Sequence, residues 1–200
     1  MNLIVFDLET TGVDIVKDEI IQIGAVCIDT QTGKEILDFE AKILPSEKGI
    51  ASLMKMKETG FKNCYDPEIW GLEGVAKPLA LQRFAGWIGR FTDQRRVSKT
   101  GRGYYVVQGC GYNSVKFDHP FLLNVCRFSN IFIPMDMRVW DTMQFAMLYA
   151  SVKNINIDDF KLETVAKALK IELVQAHDAL ADARATATIT FHILNELRKS

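Results

Sequence analysis

Cysteine is scarce and scattered. The four residues Cys27, Cys64, Cys110 and Cys126 form no C-x-x-C pair. That excludes a zinc ribbon and a disulfide framework. Cys27 falls in an apolar, strand-like stretch and reads as a small buried side chain. The usage fits a reducing, intracellular (cytoplasmic) compartment. An excess of either charge is also absent: Lys and Arg number 24, Asp and Glu 25, and the formal net charge is −1. Coating of nucleic acid through bulk charge is therefore excluded, whereas local gripping by an enzyme is not. The amino terminus has no basic leader, and no apolar run approaches a membrane span. Neither a targeting segment nor membrane association is expected. Internal repeats and low-complexity tracts are missing too. What remains is 200 residues, 48% of them hydrophobic, enough for a sizeable core in one domain over 1–200.

The chain opens on a strand. Leu3 to Phe6 is short, branched and continuously apolar, the pattern of a strand buried on both faces. Glu19 to Ile28 alternates and is rich in Ile and Val. Turn residues follow over Asp29 to Gly33, and Ile36 to Leu44 reads as a third strand stopped by Pro45. Short connections make these three an antiparallel meander. Residues 45 to 78 are irregular, with short helices and loops and an aromatic cluster of Phe61, Tyr65 and Trp70. Leu79 to Phe91 is an amphipathic helix with Leu81, Phe84, Trp87, Ile88 and Phe91 on one stripe. Phe84 and Trp87 read as core rather than as a base-stacking platform. Thr92 to Gly103 is polar and basic, with Arg95, Arg96, Lys99 and Arg102. Tyr104 to Gln108 is a fourth strand, and Asp118 to Phe128 a helix that tolerates Pro120 in its first turn. Val139 to Asp141 is a short strand, with Asp141 capping a helix through Tyr149. Two more helices cover Lys161 to Lys170 and Ala179 to Leu197. The order predicts an α/β fold: a mixed five-stranded sheet flanked by helices, with right-handed crossovers.

The opening strand ends on two acids, Asp7-Leu8-Glu9-Thr10-Thr11-Gly12. Side chains two apart on a strand project to the same side, so Asp7 and Glu9 lie close enough to repel. A frayed strand end and a site for a hard divalent cation with oxygen ligands both fit that pair alone. Two further acidic clusters follow, Asn113-x-x-x-Phe117-Asp118-His119-Pro120-Phe121-Leu122 and His177-Asp178-Ala179-Leu180-Ala181-Asp182-Ala183-x-Ala185-Thr186-Ala187. Read singly, Asp118 is also compatible with a helix N-cap, Asp182 with complementing a helix dipole, and His177 with an ordinary loop histidine.

In order and together, these clusters resemble the three motifs of the DnaQ-like 3′–5′ exonucleases. The histidine five residues before the last aspartate is similar to the DEDDh branch of that superfamily. The likeness runs from residue 3 to about 194. It implies an RNase H-like three-layer fold with sheet order 3-2-1-4-5. It also implies that Asp7, Glu9, Asp118 and Asp182 bind two Mg²⁺ or Mn²⁺ ions, with His177 as general base. Leu8, Thr10, Thr11 and Phe117 would meet the terminal nucleotide, although Phe117 fits a core contact equally well. Asn113 reads as ordering the turn before Asp118. Hydrolysis of a phosphodiester needs an activated water and neutralised phosphate charge, which two carboxylate-held metals supply, and a histidine takes a proton near neutral pH.

The chain departs from many relatives in carrying Tyr112 where they place a histidine before the asparagine. Segment 92 to 103 has no counterpart; it reads as a solvated hairpin or, in preference, as a basic flap holding the phosphate backbone. The expected activity is metal-dependent 3′–5′ exonucleolysis of single-stranded DNA or 3′ ends to nucleoside 5′-monophosphates. DNA is placed ahead of RNA, and a DNA polymerase or repair protein is a candidate partner. The alternatives are an RNA-trimming exoribonuclease and, behind it, an inactive nucleic-acid-binding or polymerase-docking module.

Overall fold

Four consecutive apolar residues, Leu3 to Phe6, are completely buried and anchor the central strand β1 (Asn2–Thr10). The computed structural model describes residues 1–59, 63–173 and 178–199. Along β1 the side chains alternate. Ile4, Phe6 and Leu8 enter one core with Phe84, Trp87, Phe121 and Leu122. Leu3 and Val5 enter another with Cys110 and Ala187. Each such buried side chain contributes about 1.5–3 kcal/mol, so β1 is a stiff platform for whatever its end carries.

Strand β2 (Ile20–Asp29) pairs antiparallel with β1, and β3 (Glu35–Lys42) antiparallel with β2, the expected meander. Helices α1 (Glu47–Glu58), capped by Ser46, and α2 (Pro67–Glu73), capped by Asp66, fill the irregular stretch. Of its aromatics, Tyr65 lies edge-on to Trp70 at 5.4 Å, and Phe61 lies outside the described residues. Helix α3 (Lys77–Gly89) buries Phe84 and Trp87 as core.

The fourth strand differs from its expected place. The stretch read as one strand over 104–108 is split at Val107. Its first part belongs to β5 (Gly103–Val106), which pairs with β4 (Gln94–Val97) in a separate hairpin. The sheet strand is β6 (Gln108–Gly111), parallel to β1. Both halves carry apolar residues, so periodicity alone does not reveal the change of partner. Helix α4 (Asp118–Phe128), β7 (Trp140–Asp141), α5 (Thr142–Lys153), α6 (Leu162–Ala168) and α7 (Ala179–Arg198) complete the chain. The sheet order is β3-β2-β1-β6-β7, the expected 3-2-1-4-5 once the hairpin strands are set aside. No helix among the described residues is long and apolar enough to cross a membrane.

The hairpin is rooted at the start of β1. The Asn2 amide N–H donates to Asp93 and its side-chain amide to the Phe91 carbonyl, both at 3.1 Å. Asp7 and Glu9 lie roughly 17–23 Å further along the strand at about 3.3 Å per residue. Arg96, moreover, is engaged by Asp136 at 2.6–2.7 Å. Neither feature favours the basic segment as a flap over the acids.

Candidate active site

The parity of β1 decides which acids meet. Leu3 and Val5 point toward α7, and Asp7 and Glu9 continue the same row. Helix α7 brings Asp182 down to them from its first turn. Carboxylate oxygens of Asp7, Glu9 and Asp182 all lie within 4.8 Å of one another, each side chain half-buried. Two residues of β2 make that approach possible. Gly24 is paired with Asp7 in the ladder and Gln22 with Glu9. A Cβ at Gly24 would stand 2.1 Å from the Leu180 nitrogen, so only glycine lets the start of α7 lie this close. Gln22, fully buried, donates to Asp178 and to Glu40, each at 2.9 Å. Its oxygen accepts from the Cys64 thiol at 3.2 Å and the Ala179 N–H at 3.4 Å. Asp178 in turn caps α7 by accepting from the Ala181 N–H.

Asp118 arrives from the opposite layer. It is the first residue of α4 rather than its cap, which is Phe117. Its ladder partner gone beyond Val5, β1 offers the Leu8 N–H, which donates to Asp118 Oδ1 at 3.0 Å. The loop before it is held by Asp141, which accepts from the N–H groups of Asn113 (3.1 Å), Val115 (3.2 Å) and Met143 (3.0 Å). Asn113 adopts the left-handed region at φ 54°, a conformation asparagine tolerates, in keeping with a turn-ordering role. Tyr112 donates to the Phe160 carbonyl at 2.6 Å and is thereby committed to the α6 side of the molecule.

The other sequence-derived candidates fall as follows. Leu8 is 5% exposed; the parity that sends Asp7 and Glu9 to α7 sends Leu8 into the core, so its side chain offers little to press on a base. Thr10 and Thr11 are buried, bonded to the Gly12 carbonyl and to Asp18 and Glu19. Phe117 is half-buried and tilts against Phe121 at 5.0 Å. His177 lies outside the described residues. Gln22, Gly24 and Asp178 escaped the sequence reading. A glutamine and a glycine inside an otherwise apolar strand were the available signal, since an isolated strand glycine marks close backbone approach.

The acids repel one another. Burial, then the charges of Asp118, Asp182, Glu9 and Asp178, hold the Asp7 carboxyl well above the usual range. Burial, followed by Asp182, Asp178 and Asp118, pushes Glu9 up to about 7. Asp118 is raised mainly by burial, opposed by the Leu8 N–H. All-oxygen donors on half-buried, mutually repelling carboxylates suit a hard divalent cation, which removes the repulsion. A linkage effect follows. A folded-state pKa raised from 4.5 to about 7 for Glu9 means the native state binds the extra proton. Its favourable contribution is full below pH 4.5 and is lost as pH rises through 7, about 3 kcal/mol in all. In chelator, Glu9→Gln should therefore leave the melting temperature near wild type at pH 4.5 and raise it at pH 8. Equal shifts at both pH values would remove the repulsive role assigned to Glu9.

The chain is similar to known proteins along most of its length. A model of the RNase_T family, described as exonuclease, matches residues 4–57 and 106–190. Those segments carry Asp7, Glu9, Asp118, His177 and Asp182 and leave out 58–105. The chain is 28% identical over 198 residues to the PolC-type DNA polymerase III of Caldanaerobacter subterraneus subsp. tengcongensis, covering 98% of this chain and 12% of that protein. It is 33% identical over 99 residues to ERI1 exoribonuclease 2 of Homo sapiens, covering 48% of this chain and 14% of that one. The fold is RNase H-like: it superposes on E. coli exonuclease I in complex with a dT13 oligonucleotide with a TM-score of 0.70 at 21% identity, covering 99% of this chain and 42% of that chain. The chain thus spans about an eighth of the polymerase's length and under half of the exonuclease's.

Proposed function

The chain belongs to the RNase_T exonuclease family, and from that premise we propose that it is a metal-dependent 3′–5′ exonuclease. It would hydrolyse single-stranded DNA, or 3′ ends, to nucleoside 5′-monophosphates. The observation that carries this reading is the meeting of Asp7, Glu9 and Asp182 within 4.8 Å at the end of the central strand, with Asp118 beside them on the Leu8 N–H. These four acids would hold two Mg²⁺ or Mn²⁺ ions, which when bound supply a nucleophilic water at neutral pH and stabilise charge on the phosphate. The chain's own part is positional. Leu8 N–H orients Asp118, Gln22 and Gly24 seat the start of α7, and the buried β1 keeps Asp7 and Glu9 in register. His177, directly before the capping Asp178, would take the proton of the attacking water. The backbone around Thr10 and Thr11, together with the half-buried Phe117, would meet the terminal nucleotide.

A single-stranded DNA substrate is supported by the likeness to exonuclease I carrying dT13, and a replication or repair partner by the likeness to PolC-type polymerase. The partial likeness to an exoribonuclease supports RNA as the second reading. One assay separates them: 5′-labelled single-stranded DNA and RNA, each with Mg²⁺, Mn²⁺ or chelator. Stepwise shortening from the 3′ end of DNA, stopped by chelator, is expected. Faster shortening of RNA transfers the assignment to the second reading. Internal cuts, or digestion from the labelled end, sink exonucleolysis in this direction, and no cleavage in either metal leaves a binding module.

A further inference from the structure

We propose that the cavity between α4, the β4–β5 hairpin and segment 131–138 is a docking site for an acidic peptide segment with an apolar anchor, carried by another protein. The cavity holds about 380 Å³, room for one or two large side chains. Leu122, Cys126, Ile133 and Met135 form its apolar wall. Around it stand four large apolar side chains from three separate segments: Tyr104 (36% exposed), Leu123 (37%), Phe132 (65%) and Met137 (64%). Tyr104 and Phe132 meet edge-on at 6.0 Å, so the hairpin and the 131–138 segment form one continuous rim. Single exposed apolar residues are ordinary, but a cluster around a concavity marks an interaction surface.

Charge specifies the occupant. Arg96, Arg127 and Arg138 line the same cavity, against one acid, Asp136. Asp136 is bonded by both Arg96 and Arg138, which leaves the rim net positive on a chain whose total is −1. A carboxylate beside an apolar anchor meets both features. A nucleobase fits the interior less well: its polar edge would be buried against Leu122, Ile133 and Met135, at the cost of unpaired hydrogen-bonding groups. Most of the lining stands away from the acids, and the cavity approaches them at His119, next to Asp118. Val107, at the foot of β6, bridges to Met135 on the cavity wall, at the end of the sheet away from Asp7 and Glu9. Of the lining residues, Arg96 and Tyr104 fall outside the segments that match the exonuclease family.

The test is selection of a random dodecapeptide display library on the full chain, followed by fluorescence anisotropy with the enriched, labelled peptides. Enriched sequences should place Asp or Glu next to Phe, Leu or Trp. Arg127→Glu and Leu123→Asp, both at exposed positions, should each weaken the labelled peptide roughly tenfold or more and leave single-strand cleavage and melting temperature unchanged. Charge-indifferent or basic peptides, or binding that survives both substitutions, overturn the proposal. So does an absence of enrichment over bare support. Displacement of the peptide by excess oligo(dT) gives the face to nucleic acid instead.

Discussion

Asp7→Asn should lower single-strand cleavage about a thousandfold, a loss of about 4 kcal/mol of transition-state stabilisation, while making the chelator-treated protein more stable at pH 8. The two effects have one origin. Asp7 stands among Asp118, Asp182, Glu9 and Asp178, and burial together with those charges holds its carboxyl in favour of the neutral form. At pH 8, without a cation, ionising it works against folding. An amide of the same shape removes the charge and keeps the packing. The melting temperature of the variant in chelator should therefore lie above that of the wild type at pH 8. With Mn²⁺ present the ranking should reverse, because on the proposed reading the wild type would bind the cation and gain folded-state stability from it, whereas the variant has lost a donor. Thermal melts of both proteins with chelator and with Mn²⁺, beside the cleavage assay, decide the matter. A variant that is less stable in chelator would make Asp7 a structural acceptor. One that retains cleavage would take it out of the site altogether.

The same acids explain why β1 was only partly legible. The apolar run announced a buried strand ending on the two acids, but left open whether that end is paired or frayed. The ladder continues to Thr10, because the residues opposite the acids are Gly24 and Gln22. These accept a helix terminus where an apolar side chain would otherwise be required. Local propensity does not contain that information; it belongs to the partner strand and to α7. The acids themselves were legible because their chemistry constrains type and order along the chain. Asp118 was legible as a residue, but its contact with the Leu8 N–H was not, since it depends on β6 ending early. Similarly, 104–108 looked like one strand because both of its halves are apolar, and only the exchange of β4 for β1 at Val107 divides it. Helices with a strong stripe, such as α3 and α4, came within a few residues of their observed bounds, whereas α1 and α2, capped by Ser46 and Asp66, lie in the stretch read only as irregular with short helices and loops.

Gly24→Ala is expected to cost about a hundredfold or more in cleavage although it adds a single methyl group to a residue that offers no ligand of its own. The added carbon would lie 2.1 Å from the Leu180 nitrogen, 2.2 Å from the Ala179 carbonyl carbon and 2.4 Å from its oxygen. All three are backbone atoms, so no side chain can swing aside. Either β2 or the first turn of α7 must retreat by roughly 1 Å, a displacement that by itself costs about 10²-fold in a positioned site. Retreat of α7 carries Asp182 away from Asp7 and Glu9. It also pulls Asp178 and the Ala179 N–H from Gln22, leaving a buried amide short of partners. Overpacking of this kind destabilises by about 1–3 kcal/mol, so the melting temperature should fall while the Mn²⁺-induced rise shrinks. Gly86→Ala is the matched control. It lies within α3 with nothing near its would-be Cβ, and there alanine should stabilise by about 0.5–1 kcal/mol without touching cleavage. Were Gly24→Ala to retain full cleavage and a full Mn²⁺ response, the close seating of α7 on β2 would not be what delivers Asp182, and the acid cluster would need another source of its geometry.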